Sequence, residues 1–499
     1  MRRKLSFAVF NILIGLVIMY QSFDFGITNT LIYFIIIILI YHFFFEINIK
    51  YVLFIIFGCA LMMNGILMHF RDETMPFVGS YAICRGYVTS ESVNVFGESC
   101  FDCNLDEISF QGKIYNENNY RISVYCKSDV KNSVIGKRVE FRCKINIPKR
   151  DGAKSDYRNY LYGKDISYVA NTRSVKVLRA NDDLRGVVFN FLNRIIEKRN
   201  SFLSYLDYED RGLFAGVMLG EKSILDKDVY EEFRSTGTAH VLAVSGLHLG
   251  IIYSIYTALR EKCKYKKVAD LLLCFFLLLY SFLSLFSISI MRAVFVIMIK
   301  LTADMCKKKF DLLSAVSFAF LVFIIKNPYR IFDMGMQLSF LSLLIIIFVN
   351  PHIKRLRIGN FLEVFILPVG ISVYSAAYFG KISCISVFAN LPVIFLVSLY
   401  VPIGLICFFI YFIFGYFTYT LEFVESFLGR AIVNVNHSLY LIQNGSLEIN
   451  LENKKIAVLF YLSLFFLSSE YFYIHVVSRF EIKKCIGFVL AAVSLFLLT

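Results

Sequence analysis

Thr236 to Gly250 reads T-G-T-A-H-V-L-A-V-S-G-L-H-L-G. The stretch is apolar enough to enter a lipid bilayer, yet it carries Ser245, the histidines His240 and His248, and the glycines Gly237, Gly246 and Gly250. Read as a helix, Ala243, Gly246 and Gly250 share one face, where small residues let a neighbouring backbone come close. Polar groups in hydrocarbon are costly unless they face protein or water. The segment is therefore expected to face a partner helix or an aqueous cavity; its plainest form is a tightly packed helix with satisfied hydroxyl and imidazole groups.

Working outward, the chain of 499 residues is 57% hydrophobic and only 18% charged, against about 25% charged in ordinary soluble domains. Several apolar runs approach the ~20 residues that cross a bilayer, so the expected class is a polytopic α-helical membrane protein. A net charge of +14 suits anionic lipid headgroups or a polyanionic substrate, and the total does not separate the two. Met1-Arg2-Arg3-Lys4 precedes an apolar run with no small-residue cleavage site after it, so it reads as a retained first helix with a cytoplasmic N-terminus. Three spans at 6–22, 30–45 and 51–69 then deliver the chain after His69 to the exoplasmic face.

From 71 to 185 the pattern changes to alternation, as in Ile122-Ser-Val-Tyr-Cys126 and Val139-Glu-Phe-Arg-Cys-Lys-Ile-Asn-Ile147. Short strands separated by Gly, Asn, Asp and Ser turns predict an inserted, exoplasmic small β-barrel, OB-like in type. Lys113 to Arg185 holds 17 Lys and Arg against 8 Asp and Glu, whereas the preceding part is acidic. The basic half mixes Arg138, Arg142, Lys144, Lys149, Arg150 and Arg158 with Tyr157 and Tyr160, a combination that suits either phosphate binding with base stacking or an ordinary solvated surface beside the membrane. Five cysteines (Cys84, Cys100, Cys103, Cys126 and Cys143) lie here, and an exoplasmic setting permits disulfides. Cys100-x-x-Cys103 has no matching second pair, so a zinc site is not expected.

Residues 186–235 read as interfacial, beginning with an amphipathic helix from Gly186 to Leu206. From 236 to 499, about eight to ten further helices are expected. Pro392 and Pro402 divide one long run into spans at 384–399 and 401–419, Val424 to Ile449 looks amphipathic, and some segments there are candidates for re-entrant geometry. Arg292, Asp333, Gln337, Ser339 and Asn390 fall within apolar spans. Such residues are functional candidates because a charge at the bilayer centre costs at least ~2.5–3.5 kcal/mol. Ser245 with His240 or His248 also admits an intramembrane serine hydrolase, although His248 at i+3 is poorly aimed at Ser245 and no third group follows. No phosphate-binding G-x-x-x-x-G-K-[ST] loop is present.

The motifs resemble, in order, those of the ComEC-type competence proteins, membrane channels that bring transforming DNA into bacteria. The organising stretch is similar to the family's signature. Asp156-Tyr157-Arg158-Asn159-Tyr160-Leu161 resembles the close of its OB-like domain, and Leu213 to Gly220 its small-residue helix. Met291-Arg292-Ala293, Asn327-Pro328 through Asp333, Met336-Gln337-Leu338-Ser339-Phe340 and Asn390-Leu391-Pro392 follow in the family's order, with Met336 where an aromatic residue is expected. The resemblance implies a channel for single-stranded DNA, gated by His240, Ser245, Gly246, His248, Gly250, Arg292, Asp333, Gln337, Ser339 and Asn390. It also implies membrane lipids around the chain, a DNA receptor outside, a separate nuclease and a cytoplasmic ATP-driven helicase or translocase. Many members continue into a metallo-β-lactamase-like domain; its H-x-H-x-D-H cluster is not found here, so neither catalysis nor a metal or other cofactor is expected of this chain. A lipid or polysaccharide transporter would explain the hydropathy but not the ordered motifs.

Overall fold

The computed structural model describes residues 4–25, 49–93, 99–115, 120–126, 135–149, 157–178, 184–221, 224–242, 246–284, 287–354, 359–379, 385–416, 419–443 and 454–468. The order begins with helices α1 (Lys4–Phe25) and α2 (Ile49–Glu73), followed by strands β1 (Tyr81–Val93), β2 (Ser99–Phe110), β3 (Lys113–Tyr115), β4 (Arg121–Cys126) and β5 (Arg138–Asn146). Helix α3 (Tyr157–Gly163) precedes β6 (Tyr168–Thr172) and β7 (Lys176–Leu178). Then come α4 (Leu184–Tyr205), α5 (Tyr208–Phe214), α6 (Lys227–Ser235), α7 (Gly246–Lys262), α8 (Lys266–Leu283), α9 (Ile288–Met305) and α10 (Leu312–Lys326). The order ends with α11 (Met334–Phe348), α12 (Asn350–Ile353), α13 (Gly359–Phe379), α14 (Ser386–Phe414), α15 (Tyr419–Gln443) and α16 (Lys454–Leu467). The chain forms two compact units: Met1–Phe70 with Thr302–Val387 and Leu447–Thr499, and Arg71–Leu301 with Phe388–Ser446.

Three helical segments among the described residues are long and apolar enough to cross a membrane: Val52–Glu73, Met334–Ile353 and Ser386–Phe414. Shorter apolar helices occupy Ala8–Tyr20, Leu312–Lys326 and Phe365–Tyr378. The expected spans at 30–45 and 482–499 lie outside the described residues.

In the second unit the alternating region closes into a barrel. β1 pairs antiparallel with both β2 and β5, β2 with β4, and β6 with β5, while β4 and β6 run parallel. Period two explains the result: Val139, Phe141, Cys143 and Ile145 of β5 point inward, and Arg142 and Lys144 between them face solvent. Phe101 and Phe141 meet edge-to-face at 5.8 Å inside. Register shifts after Arg85 and Val88 bend the long β1–β2 pair around the core. The last turn of α2 anchors the barrel: Ser167 Oγ donates to Asp72 Oδ2 (2.7 Å), Tyr168 to the Asp72 carbonyl (3.0 Å) and Tyr162 to Glu73 Oε1 (3.0 Å). All five barrel cysteines are buried thiols. Cys84 and Cys143 lie 3.8 Å apart, and their hydrogen bond together with burial pushes the Cys84 thiol up.

The helical part of the second unit packs around Phe202 of α4, whose ring meets Phe214 at 4.9 Å and Phe408 and Tyr411 at 5.2 Å each. The division expected at Pro392 and Pro402 is not present, because α14 runs unbroken through both prolines. Each removes a helical hydrogen bond, at about 3 kcal/mol in an isolated helix. The compensation is a face on which Val393, Val397, Tyr400, Val401, Leu405 and Phe408 are all buried.

The organising stretch also differs from a single helix over 239–259. α6 ends at Ser235, Gly237 adopts the left-handed φ of 75°, and one tight turn covers Ala239–Leu242. A new helix, α7, begins at Gly246. Gly237 accounts for the end of α6, since a left-handed residue cannot continue a helix and glycine adopts it without strain. Gly246 and Gly250 are exposed, and among the described residues nothing lies within 4 Å of a Cβ built on either. The close backbone approach expected there is found instead in the first unit, where α1 and α2 touch through Gly15 and Gly58. A Cβ on Gly58 would stand 2.1 Å from the Ile12 carbonyl oxygen.

Candidate nucleic-acid interface and buried polar groups

The barrel sorts its charges by strand. Arg85 on β1 binds Glu140 (2.6 Å) and Glu107 (2.8 Å), and those bonds, Glu140 first, raise its already high pKa. Arg138 is held by Asp106 at 2.9 Å. These pairs cancel the acidic residues next to β5. Farther along the same face, Ile83 is cross-strand partner to Arg142, and Tyr81 to Lys144. Arg142 and Lys144 are exposed and form no ion pair among the described residues. Tyr81 is 68% exposed and Ile83 41%. Two uncancelled cations beside two exposed apolar side chains can bind phosphate and receive a base.

The other barrel candidates divide. Lys149 is exposed, and Arg150 lies outside the described residues. Arg158 approaches Glu73 (3.6 Å) and the Tyr162 ring (5.8 Å). Arg138 and Arg158 are thus paired with acids of the barrel and of the last turn of α2. Tyr157 stacks on Tyr160 at 6.2 Å and shares a 2.6 Å hydrogen bond with Tyr125; Lys164 lies 4.5 Å over the Tyr160 ring. Burial, then the bond to Tyr157, holds the Tyr125 hydroxyl above the ordinary tyrosine range.

Within the helices of the second unit, His248 and Asn390 are buried and Arg292 is 2% exposed. His240 is exposed, with Nδ1 3.4 Å from the Gly237 carbonyl. Ser245 lies outside the described residues, so no serine–histidine pair is visible. Thr236 and Thr238, which flank the chain reversal, both donate to Asn436 Oδ1 of α15, at 2.7 and 2.9 Å.

In the first unit, the N-P…D…Q-L-S segment serves as caps and ties. Asn327 accepts from the Tyr329 amide and Asp333 from the Gly335 amide, each at 2.9 Å, capping two successive helical turns. Gln337 donates to the Ile331 carbonyl at 2.6 Å and accepts from the Tyr374 hydroxyl. Both ends of its amide are thus bound to protein. Ser339 is half-buried, and its carbonyl accepts from Ser342 Oγ (2.8 Å). The Tyr461 hydroxyl stands in the ladder of α13, accepting from the Tyr374 amide (3.0 Å) and donating to the Gly370 carbonyl (2.6 Å). Among the described residues no group of three or more His, Cys, Asp or Glu is placed to hold a metal ion.

The family model described as Competence protein matches residues 217–470, just over half of the chain. The chain belongs to the competence protein family. ComE operon protein 3 of Bacillus subtilis (strain 168) is 28% identical over 187 residues, covering 37% of this chain and 24% of that protein. Recombination protein 2 of Haemophilus influenzae is 28% identical over 100 residues, covering 20% of this chain and 12% of that one. The chain thus aligns with a quarter or less of each of these relatives. No solved structure matches. The competence region begins at the turn after α5 and excludes the barrel, so the barrel's role rests on its own chemistry.

Several buried polar groups of this competence protein escape a reading that looks for charge only inside strongly apolar runs. Asn436 and Glu425 lie in the amphipathic stretch after 424, and Asp210 and Arg199 in the segment leading to residue 217. Arg199 is 2% exposed and binds Glu221 at 3.0 Å. The available signal was polar residues recurring on the apolar face of an amphipathic pattern.

Proposed function

We propose that this chain carries single-stranded DNA across the cell membrane during natural transformation, with its N-terminus in the cytoplasm and the barrel outside. The observation that carries the reading is the β1–β5 face, where Arg142 and Lys144 stand uncancelled beside Tyr81 and Ile83. A polyanion gathered there would bind through phosphate contacts with strong salt dependence and through base stacking without sequence preference. The strand order β1–β2–β4–β6–β5–β1, closed by the β1–β5 pairing, supports reading the barrel as OB-like. Here the cations lie on β1–β5, whereas β2 carries Asp102, Asp106 and Glu107.

Membership of the competence family supports DNA uptake as the process. A phosphate chain cannot enter hydrocarbon, so a wet and cationic route is required; Arg292, His248 and Asn390 are among the buried polar groups of the second unit's helices. We assign the chain transport and no catalysis. A DNA receptor outside, a separate nuclease and a cytoplasmic ATP-driven motor would supply the single strand and the driving force.

The test is uptake of labelled DNA into cells lacking the gene, complemented with the unmodified chain or with Arg142→Glu/Lys144→Glu at equal membrane abundance. Restored uptake with the unmodified chain and at least a tenfold deficit with the variant are expected. Equal uptake by both removes the β1–β5 face from the function, and no restoration by the unmodified chain removes the transport reading.

A further inference from the structure

Asp210 of α5 and Glu425 of α15 are 6% and 1% exposed, inside the apolar core built around Phe202, Leu213, Phe214 and Val401. Asp210 reaches α15 at Gly429, one helical turn from Glu425, where a Cβ would lie 3.6 Å from Asp210 Oδ1, 3.6 Å from the Tyr400 ring and 3.3 Å from Leu213. Ser426 Oγ donates to Asp210 Oδ2 and the Tyr400 hydroxyl to Glu425 Oε1, both at 2.5 Å. Glu425 Oε2 is fully enclosed and has no hydrogen-bond partner among the described residues.

No cation answers these two acids. Among the described residues neither forms a salt bridge with Lys, Arg or His. Arg211, next to Asp210, turns its Nη2 to the Ser204 (3.3 Å) and Leu206 (3.1 Å) carbonyls. On α15, Glu422 is half-buried and adds negative charge, whereas Arg430 is exposed. From α14 come Tyr400 and the thiol of Cys407, which points at the Leu421 carbonyl (3.8 Å). From α6, Glu232 is engaged with His437 (2.8 Å), three turns farther along α15.

Burying one ionised carboxylate without a counter-charge costs several kcal/mol, and two like charges in one dry site cannot both persist. One hydroxyl donor at each carboxylate offsets only part of that cost. We infer that Glu425, buried beside the charge of Asp210, is a proton-binding site that holds a proton while α15 packs on α5. The proton removes one charge and gives the pair a donor. Its loss places two negative charges in the core and drives α15 off α5, so the pair acts as a proton-operated latch between these helices.

The test uses the full chain in lipid nanodiscs. Infrared spectroscopy at neutral pH is expected to show a protonated carboxyl band, shifted by deuteration, that disappears in Glu425→Gln. Thermal stability of the unmodified chain is expected to fall as pH rises through the deprotonation of Glu425, and Glu425→Gln to remove most of that fall. Asp210→Asn, which leaves only one acid, provides a second variant with the same expected loss of pH dependence. No protonated carboxyl band in the unmodified chain, or a pH dependence unchanged in both variants, overturns the inference. So does stabilisation by sodium at fixed pH without the band, which would make the pair a metal-cation site.

Discussion

Replacing Arg142 and Lys144 together by alanine tests the barrel face quantitatively. The two residues alternate on one strand face, about 6.8 Å apart along β5 at ~3.4 Å per residue, and both are exposed and uncancelled. Each cation that neutralises one phosphate of a single strand contributes about 0.7 to the slope of log affinity against log salt. The double variant should therefore lower that slope by about 1.4. Between 50 and 200 mM salt it should lose about sevenfold less affinity than the unmodified chain, because a fourfold change in salt raised to the power 1.4 is about seven. The assay is fluorescence anisotropy of a labelled, mixed-sequence oligonucleotide with the full chain in nanodiscs, titrated at several salt concentrations. Tyr81→Ala should weaken binding by about 1–3 kcal/mol at every salt concentration if one base stacks there, leaving the slope unchanged. An unaltered slope in the double variant would refute the reasoning, whatever happened to the affinity.

Further outcomes follow from packing and titration. Phe141→Ala deletes a ring that meets Phe101 inside the barrel and should cost about 3–5 kcal/mol, read as faster amide exchange confined to the β strands. Gly58→Leu would push a side chain into the Ile12 carbonyl, where even a Cβ stands at 2.1 Å. It should force α1 and α2 apart, seen as loss of a disulfide cross-link engineered between them, whereas retained cross-linking contradicts the packing. Burial, then the bond to Tyr157, raises the Tyr125 pKa, so the stability that this neutral hydroxyl contributes is full below the ordinary tyrosine value of about 10 and falls as pH rises beyond it. Tyr125→Phe should remove one late-titrating class from the tyrosinate absorbance of the full chain; an unchanged titration curve contradicts the assignment.

The barrel was legible because period-two alternation imposes in-and-out placement directly, as Val139 to Ile145 illustrates. The composition likewise identified the apolar helices. Continuity was harder to read: Pro392 and Pro402 resemble boundaries until the buried face of α14 is seen to hold the helix through them. The organising stretch misled in the opposite way, since an apolar run gives no sign that Gly237 takes a left-handed conformation. Charge pairing was invisible too. Arg138 and Arg142 are the same residue type four positions apart on β5, and only the fold sets one against Asp106 and leaves the other to solvent. Gln337 carried the right signal, a polar group in an apolar run, but its bonds to Ile331 and Tyr374 make it a tie between helices.

The central claim is that incoming DNA passes along the β1–β5 face. A photo-crosslinking amino acid at Ile83, on the full chain in competent cells taking up labelled DNA, measures this directly. The account predicts a crosslink to single-stranded DNA at that position and little at Asp102 on acidic β2. Equal labelling at the two positions, or none at Ile83 while uptake proceeds, would contradict it.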